Sequence, residues 1–179
     1  MKNMNTPNKL TVLRVILVPV FIVCILYWNR YVALAVFIIA SMTDWFDGRI
    51  ARKYNLVTNF GKFLDPIADK LLVTSALVCF VQLGQLPAWV AIIVIGRDLA
   101  VDGLRMMAAS KNIVMAAGWS GKIKTAVTMV VICVMITPLG ARLIGPVTFN
   151  TVGAALILIL NVVSMADYFI HNGKVLSEQ

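Results

Sequence analysis

The 179-residue chain is 60% hydrophobic and 13% charged, with a formal net charge of +8 and a mean hydropathy of +0.89. A soluble domain of this length carries about 25% charged residues, so the composition excludes an ordinary water-soluble enzyme and points to membrane-spanning helices. The cysteines, Cys24, Cys79 and Cys133, fall in apolar stretches without metal-ligand spacing and read as buried small hydrophobes.

Six apolar segments follow one another along the chain, 10–28, 31–50, 66–83, 87–108, 123–141 and 150–170. Each is close to the ~20 residues that cross ~30 Å of hydrocarbon, and a helix satisfies its own backbone there. The expected fold is an all-α polytopic membrane protein with six transmembrane helices, forming a single domain over residues 1–179. Lys2 and Lys9 precede the first segment, but no small-residue cleavage pattern follows Trp28, so that span is expected to be retained. Pro19 and Pro138 are candidate bends in the first and fifth spans. The connections near 29–30 and 84–87 are tight and should join antiparallel neighbours. The longer ones, 51–65 and 109–122, hold most of the polar residues. With the N-terminus inside, only Arg30 and Arg142 of the 16 basic residues face outward. This positive-inside bias puts both termini in the cytoplasm. A basic cytoplasmic face suits anionic lipid and phosphorylated substrates. The basic residues sit at helix ends and no recognition module accompanies them, so no nucleic-acid partner is expected. Trp28, Trp89 and Trp119 read as interface anchors.

Half of the eight acidic residues, Asp44, Asp47, Asp65 and Asp69, fall between positions 44 and 69. Asp44 and Asp47 are three apart at the end of the second segment. Asp65 and Asp69 are four apart at the start of the third, so each pair shares a helix face. Asp65-Pro66 also has the form of a helix start, with Asp as cap and Pro at the first helical position, but that accounts for Asp65 alone. Two carboxylates 4–5 Å apart repel by roughly 3–4 kcal/mol at an effective dielectric near 20. Protonation or pairing with Arg49, Arg52 or Lys53 would relieve the repulsion. Divalent cations relieve it more fully, because hard ions prefer several carboxylate oxygens. Two such ions form a clamp suited to displacement at phosphorus. Gly48 and Gly61 read either as helix-packing positions or as places where a phosphate approaches the backbone. Arg52 reads as a phosphate fork or a snorkelling side chain.

These residues resemble the signature of the CDP-alcohol phosphatidyltransferase family. Its pattern is D-x-x-D-G-x-x-A-R, eight residues, then G-x-x-x-D-x-x-x-D. Asp44, Asp47, Gly48, Ala51, Arg52, Gly61, Asp65 and Asp69 fill every fixed position with the family's gaps. The resemblance implies the CDP-alcohol phosphotransferase fold and two divalent cations, Mg2+ or Mn2+, held by Asp44, Asp47, Asp65 and Asp69. It implies a CDP-diacylglycerol donor whose cytidine and phosphates are accommodated by Gly48, Arg52 and Gly61. Asp69 matches the proposed general base, which takes the proton of the acceptor hydroxyl. Asn8, Thr11 and Arg14 form a candidate polar corner near the nucleotide, with capping and snorkelling as the alternative account. Likeness within the family, over Pro7 to Arg14, Gly96-Arg97-Asp98 through Leu104-Arg105, and Gly121 to Thr125, implies sn-glycerol 3-phosphate as acceptor. It further implies a homodimer among membrane lipids of the bacterial cytoplasmic (inner) membrane, with the site facing the cytoplasm.

Charge supports the same acceptor. Arg97 and Arg105 lie eight residues apart, slightly over two turns, and Lys122 and Lys124 begin the fifth span, so the four suit an acceptor phosphate. The alternative is a positive-inside marker with Arg105 paired to Asp102. Asp98 and Asp102, one turn apart, are expected to orient the arginines and not to bind metal. Rival functions are the same chemistry on serine, inositol phosphate or phosphatidylglycerol, and a small cation transporter. The transporter would need polar residues in the outer halves of the spans, and these do not occur.

Overall fold

The computed structural model describes the backbone of residues 6–53, 59–110, 119–144 and 146–177. Side chains are described for 10–43, 67–68, 70–108, 119–142 and 146–170. Six helices dominate it: α1 (Thr6–Tyr27), α2 (Arg30–Lys53), α3 (Asn59–Gln82), α4 (Ala88–Ser110), α5 (Trp119–Ile136) and α6 (Phe149–Ser177). They fall into two compact units, Met1–Leu83 and Gly84–Gln179.

In the first unit α1 packs on both α2 and α3. Trp28 and Asn29 alone separate α1 from α2, and Asn29 is the reason the chain can restart at once. Its Oδ1 accepts from the backbone N–H of Tyr31 at 2.8 Å and of Val32 at 3.4 Å, satisfying donors that a new helix leaves open. Phe21 of α1 meets Phe37 of α2 with ring centroids 5.6 Å apart and planes tilted by 51°. In the same unit Ala33, Ala40, Ala68 and Ala76 are all fully buried, and such small residues let membrane helices approach closely. Hydroxyls in this apolar setting bond back to their own helix: Ser41 donates to the Phe37 carbonyl at 2.8 Å and Thr43 to that of Ala40 at 2.7 Å.

In the second unit α6 packs on α4 and α5. The fifth span was expected to run through Pro138 with a bend. Instead α5 ends at Ile136 and Pro138 opens a 3-10 turn, Pro138–Ala141, because a proline without an N–H suits the first position of a new turn. A two-residue hairpin follows, Leu143–Ile144 (β1) against Val147–Thr148 (β2), with Leu143 opposite Thr148 and Ile144 opposite Val147. Among the described residues it is the exception to an otherwise helical fold. Gly140 is buried where a Cβ would lie 3.1 Å from the Met135 Cα and run into the Asn150 side chain, so the turn closes only around a residue without a side chain.

Among the described residues three helices are long and apolar enough to cross a membrane, through Leu10–Tyr27, Trp119–Ile136 and Phe149–Ile170. Six such segments were expected. α2 and α3 have 24 residues each, about 36 Å of helix, but their apolar parts are only Arg30–Thr43 and Lys70–Gln82. The aspartate motif occupies the remainder of both. In α4 the apolar run is interrupted by Arg97, Asp98, Asp102 and Arg105. Trp28, Trp89 and Trp119 are exposed, and Cys24, Cys79 and Cys133 are free thiols, the first two buried.

Candidate active site

α2 carries Asp44, Asp47, Gly48, Ala51 and Arg52 in its last three turns, and α3 carries Gly61, Asp65 and Asp69 in its first three. The motif therefore lies on helical backbone on both sides of the 54–58 connection, within one compact unit. The side chains of these positions, and that of Asn8, lie outside the described residues. The helix-start account of Asp65 is corrected, since α3 begins six residues earlier at Asn59 and Asp65 and Pro66 are inside it. Capping does not explain Asp65. Asp44, Asp47, Asp65 and Asp69 would offer four carboxylates and nothing softer, a set whose chemistry fits Mg2+ or Mn2+. Among the described residues no group of three or more metal-ligating side chains occurs. Thr11 and Arg14, one turn apart in α1, are each only 1% exposed, so Arg14 is not a snorkelling surface arginine.

The second unit gathers polar side chains from three helices. Asp98 Oδ1 accepts from Arg97 Nη1 at 2.9 Å and from Lys124 Nζ at 2.6 Å, with all three side chains at least 86% buried. Arg97 Nη2 donates to Ser164 Oγ at 2.7 Å. Arg97 of α4 and Lys124 of α5 are thus joined through one carboxylate oxygen, and α6 holds the far side of the guanidinium. One turn further along α6, Asp167 accepts from the Ser120 hydroxyl. Tyr168 presents its ring to Arg105 with 5.5 Å between the guanidinium carbon and the centroid, a cation–π distance. Lys122 stands apart from this group, exposed, with its ammonium 5.0 Å from the centroid of the Trp119 ring.

Of the four cations expected to serve an acceptor phosphate, Arg97 and Lys124 are brought together, Arg105 rests on α6, and Lys122 lies on the exposed side of α5. The expectation that Asp98 orients arginine agrees with its contact to Arg97. Sequence reading passed over Ser120, Ser164, Asp167 and Tyr168. The available signal was a polar stripe at helical spacing, Asn161, Ser164 and Tyr168, in the otherwise apolar α6. Asn161 is fully buried and donates through Nδ2 to the Ile157 carbonyl at 2.8 Å.

Comparison with known proteins bears on most of the chain. The model of the CDP-alcohol phosphatidyltransferase family matches residues 4–166. A CDP-diacylglycerol–glycerol-3-phosphate 3-phosphatidyltransferase of Bacillus subtilis (strain 168) is 51% identical over 136 residues, covering 68% of this chain and 70% of the relative. A probable phosphatidylglycerophosphate synthase of Mycobacterium tuberculosis (strain H37Rv) is 42% identical over 170 residues, 92% of this chain and 79% of the relative. The CDP-diacylglycerol–glycerol-3-phosphate 3-phosphatidyltransferase of Escherichia coli (strain K12) is 42% identical over 135 residues, 70% of this chain and 73% of the relative.

Proposed function

The chain belongs to the CDP-alcohol phosphatidyltransferase family, and from that premise we infer that it transfers the phosphatidyl group of CDP-diacylglycerol to sn-glycerol 3-phosphate. CMP and phosphatidylglycerophosphate are the products, and the reaction belongs to phospholipid biosynthesis. The carrying observation is the complete motif, eight fixed positions on the last turns of α2 and the first turns of α3. Likeness to relatives named for the same reaction supports the acceptor.

In this reading Asp69 takes the proton of the acceptor hydroxyl. That oxygen forms a bond to the phosphorus attached to diacylglycerol, and the bond from this phosphorus to the CMP oxygen breaks. Asp44, Asp47, Asp65 and Asp69 would hold two divalent cations, Mg2+ or Mn2+. When bound, these supply positive charge against the charge that builds on phosphate oxygens. Gly48 and Gly61 leave room for the nucleotide, Arg52 forks to a phosphate oxygen, and Asn8 and Thr11 line the cytidine side. The acceptor phosphate is bound by Arg97, Lys124 and Arg105, whereas Lys122, exposed against Trp119, stands apart from them. The charge bias supports six crossings with both termini and the site on the cytoplasmic side of the bacterial inner membrane. A homodimer among membrane lipids completes the reading.

The test is CMP release by the purified full-length protein, given CDP-diacylglycerol, Mg2+ or Mn2+, and one acceptor at a time. Release is expected with sn-glycerol 3-phosphate and not with serine, inositol phosphate or phosphatidylglycerol. Release that requires serine and ignores glycerol 3-phosphate would overturn the acceptor while leaving the reaction class intact.

A further inference from the structure

We propose that Asp98 is a positioning residue for acceptor binding, whose single Oδ1 atom sets Arg97 and Lys124 as one receptor for the acceptor's phosphate. The proposal rests on the function argued above, in which the acceptor is a phosphorylated alcohol.

Three observations in the second unit carry it. One carboxylate oxygen is shared by two cations from different helices, at 2.9 Å and 2.6 Å. An ion pair needed only to join α4 to α5 would require one of them. Adjacent residues on a helix do not face each other, yet Arg97 turns onto its neighbour Asp98 with Nη1 while Nη2 is held by Ser164 at 2.7 Å. Both terminal nitrogens of the guanidinium are therefore fixed, from two helices. A lysine ammonium sits on a flexible four-carbon stem, and Lys124 is 6% exposed, so the 2.6 Å contact to Asp98 helps to hold its position. Finally, the Nε–H donors of Arg97 and Arg105 are buried and have no hydrogen-bond partner among the described residues. A buried donor of a charged group is costly to leave open, and an anionic ligand satisfies it. Asp98 thus orders the cations without itself touching substrate.

The experiment compares Asp98→Asn, Asp98→Glu and Ser164→Ala with the parent protein, measuring KM for glycerol 3-phosphate and for CDP-diacylglycerol separately, alongside thermal unfolding. Asp98→Asn is expected to raise the acceptor KM about tenfold or more, the loss of one charge-assisted contact, and to leave the CDP-diacylglycerol KM within about twofold. Asp98→Glu restores part of the loss, and Ser164→Ala raises the acceptor KM about threefold, as one neutral partner is removed. Equal rises in both KM values, or a fall in stability without the KM split, assign Asp98 to structure and overturn the proposal. If Asp98→Asn does not accumulate as folded protein, Ser164→Ala decides by the same split. A parent protein that releases no CMP with glycerol 3-phosphate refutes the functional reading instead, so the two failures are distinct.

Discussion

In the first unit, four aspartates stand in two pairs, Asp44 and Asp47 three residues apart at the end of α2 and Asp65 and Asp69 four apart near the start of α3. In the second unit, Asp98 sits between two cations that reach it from α4 and α5, and a serine of α6 completes the arrangement. Both sets interrupt apolar helices, where charge must be compensated. The second is compensated by the protein itself. Like charges at helical spacing repel, and in the proposed reading the first set takes a ligand of opposite charge. In the proposed function this difference separates the two tasks of a transferase, with the acidic set assigned to chemistry at phosphorus and the internally paired set to recognising which alcohol arrives.

The largest effect should come from the acidic set. Asp69→Asn is expected to lower CMP release by about 10²–10⁴-fold, the usual contribution of a general base, while CDP-diacylglycerol still binds in the presence of Mg2+ or Mn2+. Full activity in this variant would remove Asp69 from the base role. Removing divalent cations with a chelator should abolish turnover, and adding back Mg2+ or Mn2+ should restore it; turnover indifferent to the chelator would break the contrast between the two units at its root. The second unit should respond more mildly and selectively. Arg105→Ala removes a cation held over Tyr168 and is expected to raise the acceptor KM by about tenfold, at the low end for a charge-assisted hydrogen bond. The KM of the nucleotide lipid should move less. Equal changes would make Arg105 a packing residue of α4 and α6.

How much of this was legible depended on how far apart in the chain the interacting residues lie. Asp44 to Asp69 form a local pattern, so spacing alone exposed the motif and the resemblance. The apolar runs of α1 and α6 announced themselves by length. The start of α3 at Asn59 was hidden, because Asp65-Pro66 is a strong local helix-start signal that the longer helix overrides. Pro138 was assigned a bend where it begins a new turn, and the β1–β2 hairpin is too short to carry an alternating pattern. Ser164 and Asp167 were missed for a different reason. Their partners Arg97 and Ser120 are 67 and 47 residues away, and only the packing of α6 on α4 and α5 makes either serine or aspartate more than a polar residue in an apolar helix.

The smallest predicted effect probes whether that packing sets the network. Gly153 of α6 faces α5 so closely that a Cβ would lie 2.7 Å from Val131 Cγ1, whereas a Cβ on Gly103 of α4 would meet nothing within 4 Å. Alanine gains up to about 1 kcal/mol over glycine inside a helix, and overpacking costs roughly 1–3 kcal/mol. At Gly103 only the gain applies, so Gly103→Ala should be neutral or slightly stabilising. At Gly153 the obstructing atom belongs to a buried β-branched side chain, stiff about its first torsion, so the cost should prevail by about 1 kcal/mol. Gly153→Ala is therefore expected to lower the unfolding temperature by a few degrees. Because Ser164 is three turns along the same helix, the variant should raise the acceptor KM about twofold, a fraction of what losing one hydrogen bond costs, and leave the nucleotide-lipid KM unchanged. If it behaves like Gly103→Ala in both measurements, the α5–α6 contact is compliant, and the Arg97–Asp98–Lys124 arrangement is held by its own charges and not by the helices that carry it.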